Sequence, residues 1–444
     1  MTVSKRTIRV GALPQDQDSV VGVAYVGSTG LGKTSLIKKQ MLDTHDLIQP
    51  ALILDTGDDL AEFLRAKGDP RNPVSEVDLY HEGGAGIDLP SMLKTQTDRW
   101  RLARRLSPRE KNNPNTYFDD AVALVLLAAL CVLAHFAKRG YHLADAIRLA
   151  KRPQLLTLLA RLVPGLDDPF ADVRGDPKTF ANVMSSLRTR LADVEIVAAL
   201  MLKCTEFVDL TEPVGSTVIR WSDRHAVALE GLLGFSIDTS IVTRLSEKPL
   251  ERVSYYLDEF RSIAPLEALA AAFRRGRKHR IAVTVSVHEI CGLHDRYNKD
   301  VTEEMLGLMA HKVFVRVGSP ATAKWSSDYL GCCEGIEDLR PHPGNKNRDV
   351  SRQMKDRHNV HWDELRRIKP PDPETDELHF YVDFPATTCE VVAPWLADAS
   401  LPAGHKPARR VERSPDSEVM PPLTARDLDR LGMPLEKPFL DALK

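Results

Sequence analysis

The feature that most constrains the fold of this chain is a glycine-rich loop near its beginning. The pattern G-x-x-x-x-G-K-[ST] is matched at every position by Gly27, Ser28, Thr29, Gly30, Leu31, Gly32, Lys33 and Thr34. The residues before it, Val20–Val26, are apolar and mostly β-branched, and the sequence SLIKKQML after it has a helical composition. A strand, this loop and a helix in that order predict a nucleotide-binding site in an α/β fold.

Each residue type in the loop has a chemical reason. Three glycines let backbone N–H groups surround a phosphate, and the following helix directs the positive end of its dipole toward the same anion. Lys33 is expected to reach the β- and γ-phosphates of ATP, and the Thr34 hydroxyl to bind Mg²⁺. We therefore expect residues Gly27–Ser35 to bind ATP and Mg²⁺ as cofactors. The alternative is a glycine-rich turn that fits the pattern by chance.

A second motif, Val253–Glu259, ends in two adjacent carboxylates. The residues before them are apolar or aromatic apart from Ser254, which predicts a buried strand. Asp258 is the expected partner of Mg²⁺, and Glu259 is the candidate base that deprotonates the attacking water. An Asp-Glu pair also ends many ordinary strands. Beside a complete phosphate loop, we favour the catalytic interpretation.

Composition limits the classes of partner. A formal net charge of −2 over 444 residues provides no general attraction for nucleic acid, so any DNA binding must be local. The six cysteines include no C-x-x-C pair, which favours reduced thiols over a disulfide framework or a zinc site.

Two segments bear on membrane insertion. The first ten residues contain no apolar run long enough for a signal peptide. Ala121–Ala134 is apolar over fourteen residues, fewer than the roughly 20 that a spanning helix requires, so a buried helix is the better interpretation. We expect a soluble protein with no intrinsic membrane span.

Short apolar runs alternate with helical stretches along much of the chain. Five runs are predicted strands: Val20–Val26, Ala51–Asp55, Val253–Leu257, Ile281–Val287 and Lys312–Val317. This alternation is typical of a mostly parallel sheet with crossover helices. In the middle of the chain, leucine and alanine recur at helical spacing, which predicts an inserted all-helical domain. The last part is rich in proline and charge, which predicts a flexible tail that ends in a short amphipathic piece, DLDRLGMPLEKPFLDALK.

These patterns divide the chain into four predicted regions. Residues 1–97 form the first part of a nucleotide-binding motor, with the phosphate loop, and residues 98–210 form the helical insert. Residues 211–398 form the second part of the motor, with the Asp-Glu motif and a later sensor strand, and residues 399–444 form the tail.

The order of these features resembles the conjugative coupling proteins of type IV secretion systems, the TraD and TraG type, within the wider FtsK/HerA class of ring ATPases. The similarity covers roughly residues 20–395, and its most specific stretch is Asp258–Gly331. The helical insert, which contains the sequence YFDDAVALVLLAAL, makes the resemblance to this family more specific. The resemblance implies an α/β RecA-like P-loop NTPase motor with an inserted all-helical domain.

The resemblance also implies a homo-hexamer that moves DNA through a central channel and binds ATP at each subunit boundary. In the family, a Gly-Arg-Lys turn before the sensor strand donates an arginine finger to the neighbouring subunit. Gly276–Lys278 stands at that place, so Arg277 is the candidate finger. The alternative is a solvated basic turn, since Arg277 belongs to a longer run of basic residues.

Two positions depart from the family pattern. The sensor strand usually ends in glutamine, whereas His288 stands there, and its charge is expected to vary near neutral pH. A histidine that only caps the strand end is the alternative. Family members also carry membrane spans before the phosphate loop, whereas about twenty residues precede it here.

The expected location is the cytoplasm, or the periphery of the inner membrane through a partner. Relaxase and secretion-channel proteins are the expected protein partners. Two other functions stay open: an ATP-switched assembly or adaptor protein with little turnover, and a soluble HerA-like ATPase of DNA processing or defence.

Basic residues in the predicted insert are candidate contacts to DNA phosphates. They are Arg99, Arg101, Arg104, Arg105, Arg109, Arg188 and Arg190. A solvated helix face is an equally good interpretation for any one of them.

Overall fold

The computed structural model describes residues 22–43, 49–57, 60–109, 116–173, 175–247, 251–263, 265–339, 351–384, 387–393, 400–402, 405 and 409–443. Residues 20 and 21 of the first predicted strand, and residues 1–21 of the first predicted region, lie outside them.

In the described part of the chain, nine strands form one mixed sheet, and four more form two two-stranded sheets. The strands, in chain order, are β1 (Val23–Val26), β2 (Ala51–Asp55), β3 (Val74–Val77), β4 (Gly86–Ile87), β5 (Phe207–Val208), β6 (Ser216–Arg220), β7 (Val253–Leu257), β8 (Ile281–Val287), β9 (His311–Phe314), β10 (Cys332–Leu339), β11 (Ser351–His358), β12 (Leu378–Phe384) and β13 (Thr387–Ala393). The large sheet has the order β13-β12-β9-β1-β8-β7-β2-β6-β3. Its seven strands from β9 to β3 are parallel, whereas β12 pairs antiparallel with both of its neighbours, β9 and β13.

Helices cover both faces of the large sheet and form a separate bundle between β4 and β5. They are α1 (Lys33–Asp43), α2 (Leu60–Lys67), α3 (Leu89–Met92), α4 (Gln96–Leu106), α5 (Tyr117–Phe136), α6 (Leu143–Ala150), α7 (Pro153–Ala160), α8 (Pro177–Arg190), α9 (Ala192–Met201), α10 (Ala226–Ser246), α11 (Leu269–Arg275), α12 (Ile290–Tyr297), α13 (Lys299–Leu308), α14 (Pro320–Tyr329), α15 (Trp362–Arg366), α16 (Ala425–Arg430) and α17 (Lys437–Leu443).

Alternate residues of the central strands face two different cores. Val23 and Tyr25 of β1 pack with α1 and α2, whereas Ala24 and Val26 face the larger core that continues into the helical bundle. Because helices cover both faces, both sets of side chains are apolar and the strand reads as a continuous hydrophobic run.

The predicted fold class is confirmed: the chain has an α/β fold with a mostly parallel sheet and helical regions. The strands predicted at Ala51–Asp55, Val253–Leu257 and Ile281–Val287 have those bounds. The strand predicted at Lys312–Val317 instead occupies His311–Phe314, since Val317 leaves the sheet and its N–H donates to the Leu365 carbonyl at 3.2 Å.

Four strands of the large sheet escaped the sequence analysis. They are β3, β6, β12 and β13. Strand β3 has only one buried residue, and β12 alternates buried and half-buried positions, so neither has the fully apolar sequence of a central strand.

Among the residues that the structure describes, two helical stretches are long and apolar enough, by length and composition, to cross a membrane: Tyr117–Phe136 and Asp223–Ser246. The protein itself buries 56% and 67% of their most apolar windows. The first contains the apolar run noted in the sequence, and it packs against α4, α6, α7 and α8. Packing of this kind is the ordinary environment of a core helix.

The C-terminal segment, residues 409–443, lies within the region predicted as a flexible tail. It contains α16 and α17, and the side chains of Leu428 and Leu431 are buried. Arg430 donates to the buried Asp145 carboxylate at 2.7 Å. A charged residue that the composition places in solvent is therefore paired with a carboxylate inside the protein. The flexibility of the tail as a whole stays a prediction, and the pairing of Arg430 shows that composition does not reveal which charges find partners. The boundaries of the other predicted regions stay a prediction.

Candidate active site

Three loops meet at one edge of the large sheet. They follow the neighbouring parallel strands β1, β8 and β7, so Gly27, His288 and Asp258 emerge at the same carboxyl end. Open parallel sheets commonly bind ligands at this edge. The edge therefore brings together the phosphate loop, the end of the predicted sensor strand and the Asp-Glu motif.

The phosphate loop is tied to both neighbouring strands. The Gly27 N–H donates to the Val287 carbonyl at 2.9 Å, and the Ser28 N–H donates to the Arg316 carbonyl at 3.0 Å. A Cβ at Gly27 would lie 2.3 Å from a Val315 methyl group, so no larger residue fits there without a shift. Thr29 and Gly30 are exposed at the tip, while Ser28, Leu31, Gly32, Thr34 and Ser35 are partly buried.

Lys33 points back into the loop. Its Nζ donates to the carbonyls of Gly27 and Ser28 at 2.7 and 2.9 Å, and it lies 3.1 Å from His288 Nδ1. Burial lowers the pKa of Lys33 to about 8, against the opposing charges of Asp258 and Glu259. A cation with such poor hydration gains strongly from an added anion.

Asp258 links the motif to the phosphate loop. The Thr34 hydroxyl donates to Asp258 Oδ2 at 3.3 Å, and the Ser286 hydroxyl donates to Asp258 Oδ1 at 2.5 Å. Thr34 and Asp258 thus present neighbouring oxygen atoms, the ligand type that Mg²⁺ prefers.

Glu259 lies at the mouth of the site, with its side chain 43% exposed. Its φ of 53° is in the left-handed region, which non-glycine residues rarely adopt. Burial, then the charges of Asp258 and Asp223, raises the pKa of Glu259 above its ordinary value. A carboxylate of raised pKa is a better general base near neutral pH.

His288 lies between the loop and Glu259. Its Nδ1 is 3.1 Å from both Lys33 Nζ and Thr29 Oγ1, and its Nε2 is 3.7 Å from Glu259 Oε1. Because an ammonium group only donates, Nδ1 is the unprotonated nitrogen and Nε2 carries the hydrogen. Burial and the Lys33 charge lower the pKa of His288 below its ordinary value, which favours the neutral ring.

Arg277 lies away from these residues. It is exposed in the turn Gly276–His279, which precedes β8, whereas the phosphate loop adjoins the end of β8. Seven strand residues separate the two ends, which at about 3.3 Å per residue is roughly 20 Å. Arg277 therefore does not join Lys33 and Glu259 within one chain.

Sequence reasoning missed Ser286, which contacts both members of the Asp-Glu motif. It is buried, and its only sequence signal is a hydroxyl within the otherwise apolar end of a strand. Glu289 also escaped notice; its carboxylate accepts from the Thr322 hydroxyl at 2.5 Å, beside the site.

The basic residues of the bundle mostly have internal partners. Asp120 pairs with both Arg104 and Arg109, Asp238 pairs with Arg105, and Asp119 pairs with Arg190. These four thus have an ion-pair partner within the chain, and their contact to DNA stays a prediction. Arg101 and Arg188 are exposed. Arg99 contacts Cys131 and Tyr141.

Comparison with known proteins gives one family and several similar structures. Residues 7–369 match the family described as type IV secretion-system coupling protein DNA-binding domain. The plasmid coupling protein TrwB in complex with a non-hydrolysable ATP analogue is 19% identical, with a TM-score of 0.66 over 95% of this chain and 94% of TrwB. Its complex with ADP and Mg²⁺ gives 19% identity and a TM-score of 0.65 over 93% and 92%.

VirB4 of Thermoanaerobacter pseudethanolicus is 12% identical, with a TM-score of 0.52 over 83% of this chain and 88% of VirB4. At these identities the structural similarities show the fold alone. No curated protein sequence matches the chain.

Proposed function

Because this chain belongs to the family of type IV secretion-system coupling protein DNA-binding domains, we propose that it is an ATP-hydrolysing ring motor that translocates DNA. The observation that carries the proposal is the convergence of Lys33, Thr34, Asp258 and Glu259 at one sheet edge. The binding of ADP and Mg²⁺ by TrwB, which has the same fold, supports the choice of ligand.

The chain's own residues fit the phosphates and the metal ion of a bound nucleotide. The backbone of the phosphate loop and the Lys33 ammonium neutralise the phosphates, and the Lys33 contacts to loop carbonyls give way to them. Thr34 and Asp258 would hold Mg²⁺, which supplies charge neutralisation at the phosphates when bound.

Glu259 and neutral His288 then act on water. Glu259 accepts the proton of the attacking water, and its raised pKa suits that role. His288 Nε2–H points toward Glu259 and can hold the water or the γ-phosphate by a hydrogen bond. This is the sensor role that glutamine has in related motors.

Arg277 acts in a neighbouring subunit under this proposal. Its exposure and its distance from the phosphate loop of its own chain support a contact across a ring boundary, where a guanidinium would stabilise charge on the transferring phosphoryl group. The proposal also includes a homo-hexamer with DNA in its central channel. This ring would lie in the cytoplasm and contact a relaxase or secretion-channel proteins.

The direct test measures ATPase rate without DNA and with single-stranded or duplex DNA. We expect DNA to stimulate the rate. ATP-dependent binding of a protein partner without stimulated turnover would instead identify the adaptor function, and would overturn the motor.

A mixing experiment tests the ring boundary. Arg277→Ala and Lys33→Ala chains, each inactive alone, should recover part of the activity when mixed, because one chain contributes the finger and the other the phosphate loop. Mixed rings that stay inactive would show that Arg277 does not act in trans.

A further inference from the structure

We infer that the Ser286 hydroxyl is the positioning group that orients both carboxylates of the Asp258-Glu259 motif for the proposed ATP hydrolysis. The inference rests on the proposed function and names a residue that neither motif contains. Ser286 touches neither nucleotide nor water in this role; it acts through the two acidic residues.

The strand register places Ser286 beside the motif. Strands β7 and β8 run parallel, and their last paired residues are Leu257 and Val285. One position further, the backbones separate, and the Ser286 side chain spans the gap. Its Oγ accepts from the Glu259 N–H at 2.8 Å, so a side-chain oxygen replaces the backbone acceptor that a continuing sheet would provide.

The same hydroxyl fixes the rotation of the Asp258 carboxylate. Its single proton goes to Oδ1 at 2.5 Å, which leaves Oδ2 facing the Thr34 hydroxyl at 3.3 Å. Without this bond, the carboxylate could rotate and Oδ2 would lose its fixed place beside Thr34. The oxygen pair that fits Mg²⁺ therefore depends on Ser286.

The backbone conformation of Glu259 also depends on Ser286. Its left-handed φ of 53° costs free energy for a residue with a side chain, and it persists only where other contacts hold it. The bond from the Glu259 N–H to Ser286 Oγ is such a contact. It turns the chain out of the sheet and brings the Glu259 carboxylate to the side of His288.

The chain offers a matched control in Ser254 of β7. Ser254 is buried on the neighbouring strand, and its hydroxyl has no hydrogen-bond partner in the described part of the chain. Ser254→Ala therefore removes the same atom from a similar environment without removing a bond, whereas Ser286→Ala removes two.

The experiment compares wild type, Ser286→Ala, Ser286→Thr and Ser254→Ala as full-length chains. It measures kcat, the KM for ATP, and the Mg²⁺ concentration that gives half-maximal binding of a non-hydrolysable ATP analogue. We expect Ser286→Ala to lower kcat about tenfold or more and to raise the required Mg²⁺ concentration several-fold, with a smaller change in KM. Ser286→Thr, which keeps a hydroxyl, should restore most of both properties, and Ser254→Ala should match wild type.

Two results would overturn the inference. One is wild-type kcat and Mg²⁺ dependence in Ser286→Ala; the other is an equal loss in Ser254→Ala, which would indicate a general packing effect. A thermal melt of each variant identifies unfolding; if Ser286→Ala unfolds, Ser286→Cys, which keeps the size of the side chain but has only a weakly hydrogen-bonding thiol, takes its place in the comparison. A wild-type chain that never hydrolyses ATP would overturn the proposed function, whereas the Mg²⁺ dependence of analogue binding would still decide the role of Ser286.

Discussion

The edge of the sheet that has the candidate active site is called the catalytic edge after its proposed role. This edge and the C-terminal segment are held by different kinds of contact. At the edge, polar groups face one another at distances such as 3.3 Å for Thr34 and Asp258 and 3.7 Å for His288 and Glu259. In the C-terminal segment, apolar side chains such as Leu428 are fully buried, and Arg430 is paired with a buried carboxylate.

The difference separates residues whose charges are only partly compensated within the chain from residues whose charged and apolar groups have partners there. Lys33 has a lowered pKa and Glu259 a raised one, because each charge lacks full compensation in its present surroundings. The C-terminal segment contributes folding energy through buried area, which needs no ligand. Substitutions at the edge should therefore affect turnover, and those in the segment should affect stability.

The largest effect is expected for Lys33→Ala. Removing the ammonium that neutralises the phosphates should lower ATPase activity by about a hundredfold or more without unfolding the chain. Lys39→Ala is the control, since Lys39 lies on the same helix but pairs with Asp43 at 3.0 Å. Turnover at the wild-type rate in Lys33→Ala would break the assignment of the catalytic edge.

Glu259→Gln should retain ATP binding and slow hydrolysis by about a hundredfold or more, because an amide cannot accept the proton of the attacking water. Wild-type activity should also fall as the pH is lowered through the raised pKa of Glu259, since the protonated carboxyl is no base. Glu267→Gln, at an exposed position, is the control. Loss of ATP binding with intact turnover of bound nucleotide would contradict this role.

Leu428→Ala tests the other region. The side chain is fully buried, so its truncation should lower the free energy of unfolding by about 2–4 kcal/mol, measured by chemical denaturation, with ATP binding unchanged. Val419→Ala, at a side chain 68% exposed, should have little effect. Equal stability of the two variants would support the interpretation of a flexible tail.

The smallest effect is expected for His288→Gln and is confined to low pH. The pKa of His288 is lowered by burial and by Lys33, so protonation begins below the ordinary value of about 6.5. Protonated Nδ1 would repel Lys33, and wild-type ATPase should decline there. Glutamine should weaken that decline and leave the alkaline rate unchanged, whereas His288→Ala should cost more at every pH.

Identical pH profiles of wild type and His288→Gln, with near-normal activity of His288→Ala, would assign His288 to the strand end alone. That result would limit the catalytic edge, in its comparison with the C-terminal segment, to the phosphate loop and the Asp258-Glu259 motif.

Much of the fold could be predicted because its central strands carry a strong local signal. Val253–Leu257 and Ile281–Val287 are fully buried, and their apolar sequences revealed their bounds. Strand β3 and the partly exposed β12 lack that signal, and their places in the sheet depend on partners distant in the chain. The contacts of the C-terminal segment, such as that of Arg430 with Asp145, lack a sequence signal for the same reason.

By itself, the sequence determined the phosphate loop and the Asp258-Glu259 motif, because phosphate binding requires contiguous residues of fixed types. Only the tertiary structure decided three contacts between residues distant in the sequence. Ser286 contacts Asp258 from 28 residues away, Lys33 contacts His288 from 255 residues away, and Arg430 pairs with Asp145 from 285 residues away. Each of these contacts depends on strand register or on packing between distant segments. No short-range pattern encodes it, since the partners become neighbours only after the sheet and the bundle have formed.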